Sequence, residues 1–495
     1  MVRDASPDAV WVGIDVGTQG VRALAVTADG LVVGRGSAPL TGRRDGVRHE
    51  QDPADWWVAV TGAVRAAVSG LSPPAVRGLA VCSTSGTVLL ADPDGEPLTA
   101  GIMYDDGRAP DEAHRAQRAG AELWDRIGLR IQPSWALAKA LWLVESRPGE
   151  LGRARITHQA DLVVTRLVGR PVGTDASHAL KTGYDLESES WPHEVHQRLG
   201  LPESLFPAVA RPGTVLGTVS AEAAGRTGLA AGTPVVAGMT DGCAGQLGSG
   251  ALRVGRWNSV LGTTLVLKGV ADAPVRDPAG VMYNHRAPGG AWLPGGASSV
   301  GAGVLAGTAD LARLDELAAR YEPSGGLAYP LVSRGERFPF LAPRAEGFLL
   351  GAPADEADRH AALLQGVALT ERLALAYVRR LGALVEGPLT FTGGAARSAY
   401  WCQLRADVLG RPARIPEHAG ADLGMAVLAA YGTRGPGDTR SAADVAEAMV
   451  RVRTVLEPRP GGRDRFAEPY RRLLDELERR GWLPTEIADH AREHG

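Results

Sequence analysis

Along the first forty residues, apolar and polar positions alternate in short runs. Val10–Asp15 is apolar and rich in β-branched residues, and Gly17-Thr18-Gln19-Gly20 reads as a tight turn. Val21–Thr27 alternates apolar with small residues, Ala28-Asp29-Gly30 turns again, and Leu31–Leu40 forms a third run. Short β-rich runs between glycine-bearing turns predict an antiparallel meander of three strands. The period then changes. Across Asp55–Ser69, Trp56, Val60, Val64 and Val68 recur every four residues, the spacing of one helix face. Val76–Cys82 returns to a strand pattern and runs into Ser83-Thr84-Ser85-Gly86, followed by a strand over Val88–Ala91. Ala231–Gly238 reads as a buried-type strand that opens into Thr240-Asp241-Gly242.

Near residue 250 the opening plan recurs. Asn258–Leu261, the turn Gly262-Thr263-Thr264 and Leu265–Val270 repeat strand, Gly-Thr turn, strand. A matching hairpin near the start of each half suggests two related domains, bounded at 1–246 and 247–495. At 495 residues the chain is also too long for a single compact core. A long helix is expected over Arg359–Leu381, a strand over Leu389–Thr392, a helix over Tyr400–Leu409, and a charged amphipathic helix over Arg463–Arg480. Strands followed by helices place the chain in the α/β class.

Composition narrows the function without naming it. Hydrophobic residues at 44% and charged residues at 22% are ordinary for a globular enzyme. A formal net charge of −3 offers no electrostatic footprint for nucleic acid, so no nucleic-acid partner is expected. Cys82, Cys243 and Cys402 lie too far apart in sequence for a CxxC metal pair and form no disulfide framework. Met1–Asp8 lacks a basic segment followed by an apolar one, so no secretory signal is expected. No run of 18 uncharged apolar residues occurs, so no membrane span is expected and a cytoplasmic location is the default.

Five motifs carry candidate chemistry. Gly13-Ile14-Asp15-Val16-Gly17-Thr18-Gln19-Gly20-Val21-Arg22 places a glycine and a small hydroxyl residue at a turn, where backbone N–H groups can face phosphate oxygens. Asp15 at the strand end would repel bare phosphate but suits Mg²⁺ held through water. Gly262-Thr263-Thr264 is the matching turn. Thr392-Gly393-Gly394-Ala395-Ala396-Arg397-Ser398 leads from a strand into a helix, a layout that accepts a nucleotide against bare backbone and a helix start. It is neither GxGxxG nor GxxxxGK[ST]. Asp241, a carboxylate at a strand end before small residues that start a helix, is placed to act as a base, because the positive end of a helix favours its negative charge. An ordinary helix cap is the competing reading of the same aspartate. Tyr104-Asp105-Asp106-Gly107-Arg108 combines acids with an arginine, a set that suits sugar hydroxyls.

Together these blocks resemble the FGGY family of carbohydrate kinases over nearly the whole chain and in the same order. His49-Glu50-Gln51-Asp52-Pro53-Ala54-Asp55-Trp56-Trp57 resembles the family's EQDP-x-x-WW block, and Lys139 in Ala138-Lys139-Ala140-Leu141-Trp142 is similar to its PKLLW segment. Gly393–Gln403 resembles its adenosine block, Asp106 and Arg108 its sugar-contact DGR, and Asp241 its catalytic aspartate. The resemblance implies two actin-like or ribonuclease-H-like domains, with ATP and sugar in the cleft between them. It implies Mg²⁺ near Asp15, phosphate contacts from Gly17, Thr18, Gln19, Arg22, Gly262, Thr263 and Thr264, and adenosine contacts from Gly393, Gly394, Ala395 and Ser398. It implies sugar contacts from Ser83, Thr84, Ser85, Asp106, Arg108, Lys139 and Lys181, and a homodimer is common among such kinases.

Three departures bear on the sugar. Ser83-Thr84-Ser85-Gly86 stands where xylulokinases carry Gln-Met-His-Gly, Ala395 stands for a glycine, and Asp105 for an asparagine. Ser83–Thr87, Ser177–Asp185 and Gly295–Ser299 are similar instead to D-ribulokinases of cyanobacteria and plants, which favours D-ribulose as acceptor, with D-xylulose, L-ribulose, sedoheptulose or a polyol as alternatives. An actin-like ATPase without sugar transfer would need neither the Asp106/Arg108 nor the EQDP-x-x-WW block. A sugar-sensing regulator would need an added helix-turn-helix. A serine hydrolase lacks a GxSxG elbow, and Ser83, Ser85, Ser298 and Ser299 have no histidine partner evident in the sequence.

Overall fold

A computed structural model describes residues 9–147, 149 and 152–495. Met1–Asp8, the segment read for a secretory signal, lies outside the described residues. The chain separates into two compact units. The first comprises residues 1–250, 285–290 and 418–451, and the second comprises residues 251–284, 291–417 and 452–495.

The first unit is built on a six-stranded mixed sheet. In spatial order its strands are Val215–Thr218, Pro234–Val236, Val76–Ser83, Val10–Val16, Gly20–Thr27 and Val32–Pro39. The expected meander is present: Val10–Val16 pairs antiparallel with Gly20–Thr27, which pairs antiparallel with Val32–Pro39. On its other side Val10–Val16 runs parallel to Val76–Ser83, and that strand runs parallel to Pro234–Val236. The helix Pro53–Val68 buries Trp56, Val60, Val64 and Val68, the face its four-residue spacing indicates. Asp52 caps it by accepting from the Ala54 N–H at 2.9 Å. A second, five-stranded sheet orders Arg43–Asp45, Arg48–Gln51, Gly101–Ile102, Val88–Ala91 and Arg155–His158.

One segment of the first unit comes from far along the chain. The helix Ala421–Gly432 packs on the first strand so closely that a Cβ at Gly13 would lie 1.8 Å from the Asp422 carbonyl oxygen. It also crosses the helix Asp241–Gly248, where a Cβ at Gly424 would lie 1.8 Å from the Ala244 carbonyl oxygen. Backbones in direct contact at glycine are why residues 418–451 belong to this unit. The sequence-based division at 246 and 247 differs from this grouping by contact, which returns residues 285–290 and 418–451 to the first unit.

The second unit repeats the local plan. Trp257–Leu261 pairs antiparallel with Leu265–Gly269 across the Gly262-Thr263-Thr264 turn and parallel with Leu389–Thr392. Ala413–Pro416 lies beyond Leu389–Thr392 in the same sheet. The helix Glu356–Arg380 is long and apolar enough to cross a membrane by length and composition, but 94% of its apolar window is buried in the protein. It is the central core helix of this unit, with Leu364, Val367, Leu373 and Val378 in the main apolar cluster. The expected single C-terminal helix over 463–480 is broken into Gly462–Arg465 and Ala467–Arg479.

Candidate active site

Three neighbouring parallel strands deliver the candidate site to one edge of the first sheet. Asp15 pairs in register with Cys82, Val16 pairs with Ser83, and Ser83 forms a parallel bridge with Thr240. Asp15, Ser83 and Thr240-Asp241 therefore end side by side at the carboxyl ends of their strands, where ligands bind in open α/β sheets. Asp241 is the first residue of the helix Asp241–Gly248 and Thr240 is its N-cap, so Asp241 is not itself the cap. Its Oδ1 accepts the Gly242 N–H at 2.7 Å, and the side chain remains partly exposed. The first turn of a helix is where a carboxylate gains most from the backbone dipoles.

A third carboxylate joins this edge. Asp422 lies in the first turn of Ala421–Gly432, which the glycine contacts press against both the first strand and the Asp241 helix. Asp15 records the result. Burial pushes its carboxyl above the ordinary aspartate range, the Arg22 guanidinium 2.5 Å away pulls it down, and the charges of Asp241 and Asp422 push it further up. The Cys82 thiol beside it, 3.6 Å from Asp15 Oδ1, is raised well above its usual range by burial and by the same three carboxylates. Sequence reasoning missed Asp422. The signal was available only as the glycines at 13, 424 and 248, which permit the helix crossing.

The turn Gly17–Gln19 is held from both sides. The Gly17 N–H donates to the Gly20 carbonyl at 3.0 Å, and Gln51 Nε2 donates to the Thr18 carbonyl at 2.7 Å. The phosphate-facing donors expected of Gly17 thus narrow to the backbone at Thr18 and Gln19. In the second unit, the Gly262 N–H donates to the Thr264 carbonyl and the Gly303 N–H to the Thr263 carbonyl, leaving Thr263 at an exposed tip. Gly393 and Gly394 are exposed after Leu389–Thr392, whereas Ala395 is buried. Ser398 caps the helix Ala399–Leu409: its Oγ accepts the Trp401 N–H at 3.0 Å and donates to Asp315 Oδ2 at 2.6 Å. The Ser398 hydroxyl, expected at the adenosine, is thus bonded as a helix cap.

The residues expected at the sugar divide into two groups. Asp106 is fully enclosed. It accepts the His49 N–H at 2.6 Å and the Arg108 N–H at 3.0 Å, and it pairs with the Arg108 guanidinium, which also holds Glu50 at 2.8 Å and lies 4.8 Å over the Trp142 ring. Burial opposes the charge on Asp106, yet Arg108 and the two N–H donors hold its carboxyl below the usual range. Thr84 is closed off by Thr87 at 2.5 Å and Gln159 at 3.1 Å. Ser83 is likewise sealed, with His178 Nε2 2.9 Å from its Oγ and the Ala160 N–H donating to it. The sequence indicated no histidine for Ser83; the structure provides one, and the burial of Ser83 still argues against a hydrolytic nucleophile. Ser83, Thr84, Asp106 and Lys139, expected at the sugar, are thus buried and bonded to protein partners. Lys181 retains partial exposure, whereas the Arg108 side chain is 4% exposed and the Ser85 hydroxyl is buried. Lys181 Nζ donates to the Ser85 carbonyl at 3.2 Å, and Ser85 Oγ has no hydrogen-bond partner within the protein.

Lys139 is 0% exposed, and its Nζ donates to the Met103 carbonyl at 2.8 Å. Burial, then Lys181, lowers its ammonium from the usual 10.5 to about 7, against the pull of Asp106 and Asp105. A lysine lowered in the folded state imposes its full penalty below that value, and the penalty fades as pH rises towards 10.5. The difference corresponds to about 5 kcal/mol, of which an orphaned Met103 carbonyl would take back about 1–3 kcal/mol. Lys139→Met should therefore stabilise the protein by on the order of 2 kcal/mol at pH 6 but be neutral or destabilising at pH 10, where only the cost of the orphaned carbonyl remains, measured by denaturant unfolding. An equal effect at both values would refute the titration.

Comparison with known proteins gives the family. Residues 10–248 match the N-terminal domain of the FGGY family of carbohydrate kinases, and residues 257–433 match its C-terminal domain. The chain belongs to the FGGY family of carbohydrate kinases. It is an ATP-dependent sugar kinase with the two-domain α/β fold of that family. Among its relatives are a xylulose kinase of Streptomyces rubiginosus, 32% identical over 86% of this chain and 88% of that one, and a xylulose kinase of Streptomyces coelicolor, 33% identical over 83% and 85%. The crystal structure of xylulose kinase from Rhodospirillum rubrum superposes with a TM-score of 0.83 at 28% identity, covering 94% of this chain and 99% of that one. As an FGGY kinase, the chain binds ATP and a small-molecule sugar.

Proposed function

We propose that this FGGY kinase transfers the γ-phosphoryl group of ATP to the terminal primary hydroxyl of a ketopentose, with xylulose as the favoured acceptor. The observation that carries the choice of sugar is the similarity to two Streptomyces xylulose kinases across more than four-fifths of each chain. D-ribulose, the acceptor expected from the subgroup resemblance, becomes the second reading. It is favoured by the Ser83-Thr84-Ser85-Gly86 loop standing where xylulokinases carry Gln-Met-His-Gly.

Phosphoryl transfer asks a protein for positioning and charge compensation more than for covalent chemistry. In this reading Asp241 accepts the proton of the attacking hydroxyl, and that oxygen attacks the γ-phosphorus in line. Lys181 and the buried, unpartnered Ser85 hydroxyl hold sugar oxygens, while Asp106 and Glu50 fix the Arg108 guanidinium. Backbone N–H groups at Thr18, Gln19 and Thr263 donate to phosphate oxygens, and the exposed Gly393-Gly394 backbone backs the adenosine. Asp15, Asp241 and Asp422 supply hard oxygen donors that suit Mg²⁺. Among the described residues no three His, Cys, Asp or Glu side chains form a metal cage, which fits an ion held mainly through waters and phosphates. Bound with ATP, Mg²⁺ supplies neutralisation of the phosphate charge.

A coupled ADP-release screen over ketoses and polyols tests the acceptor. Xylulose should exceed ribulose in kcat/KM by about 10-fold or more, because sugar epimers leave buried hydrogen-bond groups differently paired. A reversed ratio would establish the second reading. ADP release that needs no sugar would overturn both.

A further inference from the structure

Behind Asp241 runs an unbroken chain of buried hydrogen bonds that the proposed transfer does not use. Asp175 caps the short helix Ala176–Leu180, its Oδ1 accepting the Ser177 N–H at 2.8 Å and the His178 N–H at 3.1 Å. The same Oδ1 accepts the Ser177 hydroxyl at 2.7 Å, and Ser177 Oγ in turn accepts the N–H of Thr240 at 2.7 Å. Thr240 is the N-cap residue directly before Asp241. On the other side, Asp175 Oδ2 lies 2.5 Å from His178 Nδ1, and His178 Nε2 lies 2.9 Å from Ser83 Oγ. Ser83 ends the central strand Val76–Ser83 and begins the Ser83–Gly86 loop. Ser83 and His178 are both 0% exposed, and Asp175, Ser177 and Thr240 are buried. Three segments distant in sequence are thus pinned to one another by a Ser–His–Asp–Ser path with no solvent access.

We propose that the Ser83–His178–Asp175–Ser177 chain is a positioning device for phosphoryl transfer, fixing the backbone at Thr240 so that the Asp241 carboxylate meets the sugar hydroxyl in the reactive geometry. The proposal rests on Asp241 being the base. None of the four side chains reaches a reactant; they act through the Thr240 N–H and the end of the Val76–Ser83 strand. The energetic reason is the enclosure. In this buried setting each link leaves a donor or acceptor unsatisfied if it breaks, so the chain holds one arrangement.

The charged groups facing His178 are Asp175 on its own segment, Asp161 on the helix Gln159–Val168, and Asp241; the ring of His158 lies 5.5 Å away. His158 is itself bonded to Asp161, Thr174 and Thr182. Burial opposes a charged His178, but Asp175, with Asp161 and Asp241, outweighs it and raises the imidazole above its ordinary range. The protonated ring donates at both nitrogens, to Asp175 and to Ser83. Loss of its proton at high pH turns one of these donors into an acceptor and disturbs the chain.

The test measures kcat, KM for sugar, KM for ATP and the pH profile of kcat in wild type, Ser177→Ala, Ser177→Thr, Ser83→Ala and His178→Gln. Ser177→Ala should lower kcat by about 10- to 100-fold, the cost of misplacing a reacting group by a fraction of an ångström to 1 Å, with both KM values within about twofold. Ser177→Thr keeps the hydroxyl and should recover most of the loss. Wild type should lose kcat on the alkaline side; His178→Gln should abolish that decline, and Ser83→Ala should lower kcat. Unchanged kcat in Ser177→Ala and Ser83→Ala, or a loss that Ser177→Thr does not recover, would overturn the proposal. Should His178→Gln fail to fold, the two serine variants decide it alone. Asp241→Asn separates the two claims: if it stays active, the base assignment fails; if it is inactive while the relay variants behave as wild type, only the positioning claim fails.

Discussion

Replacing Asp241 by asparagine should leave ATP binding near the wild-type level and lower sugar-dependent ADP release by on the order of 10²-fold or more. Asparagine keeps the size of the side chain and an oxygen that can accept the Gly242 N–H, which Asp241 Oδ1 now accepts at 2.7 Å. The helix Asp241–Gly248 should therefore form as before. What the amide lacks is the capacity to take a proton from an attacking hydroxyl. The substitution also removes one of the charges that raise Asp15, so Asp15 should titrate closer to its ordinary range. Carboxylate titration followed by nuclear magnetic resonance would check that shift independently of turnover. A variant that turns over sugar at nearly the wild-type rate would end the assignment of Asp241 as base.

The second large effect concerns the second unit. Arg405 and Glu371 form a fully buried ion pair, both at 0% exposure, with Arg405 Nε 2.7 Å from Glu371 Oε2. Arg405 Nη2 also donates to Ser259 Oγ at 2.8 Å, and the guanidinium lies 3.7 Å from the Phe391 ring centroid. Arg405→Met strands the Glu371 charge in the core and should cost about 3–5 kcal/mol of unfolding free energy, measured in denaturant. Removing both charges with Arg405→Met and Glu371→Met should recover most of that loss, because two well-packed apolar residues leave no buried charge behind. The pair also braces two expected nucleotide turns. Ser259 sits three residues before Gly262, and Arg405 lies in the helix that follows Gly393-Gly394. KM for ATP should rise in the single variant and return towards wild type in the double one. A double variant as unstable as the single one would show that packing, rather than the stranded charge, sets the cost.

Strands flanked by glycine turns were legible in the sequence almost to the residue. Val10–Asp15 and Leu389–Thr392 emerge as Val10–Val16 and Leu389–Thr392, because a change of period beside a glycine is a local signal. Asp15, Asp241 and the two Gly-Thr turns were legible for the same reason. The helix Ala421–Gly432 was not. It is nearly all alanine, glycine and aliphatic residues, and eight of its twelve are buried, so no polar stripe marks a face. Its partners, Gly13 and Ala244, lie about 180 to 410 positions earlier. Asp422 was lost with it. Side-chain partnership was equally hidden: nothing near Ser83 hints that His178, ninety-five positions later, closes on its hydroxyl. Motif reading nominates candidate residues, but whether a given hydroxyl faces the solvent or the interior is decided by long-range packing.

The placement of Ala421–Gly432 against the first strand has a consequence for how the protein is made. The opening strand leaves the ribosome early, yet the helix that covers it is synthesised more than 400 residues later. At ~5–20 residues per second, the nascent chain would wait on the order of tens of seconds with the backbone of Gly13 and the apolar face around it uncovered. The amino-terminal unit is thus begun first but cannot be completed until residues 418–451 have been made. A polypeptide stalled or truncated before residue 420 should expose a sticky sheet to chaperones and proteases, even though every residue of the opening hairpin is already present.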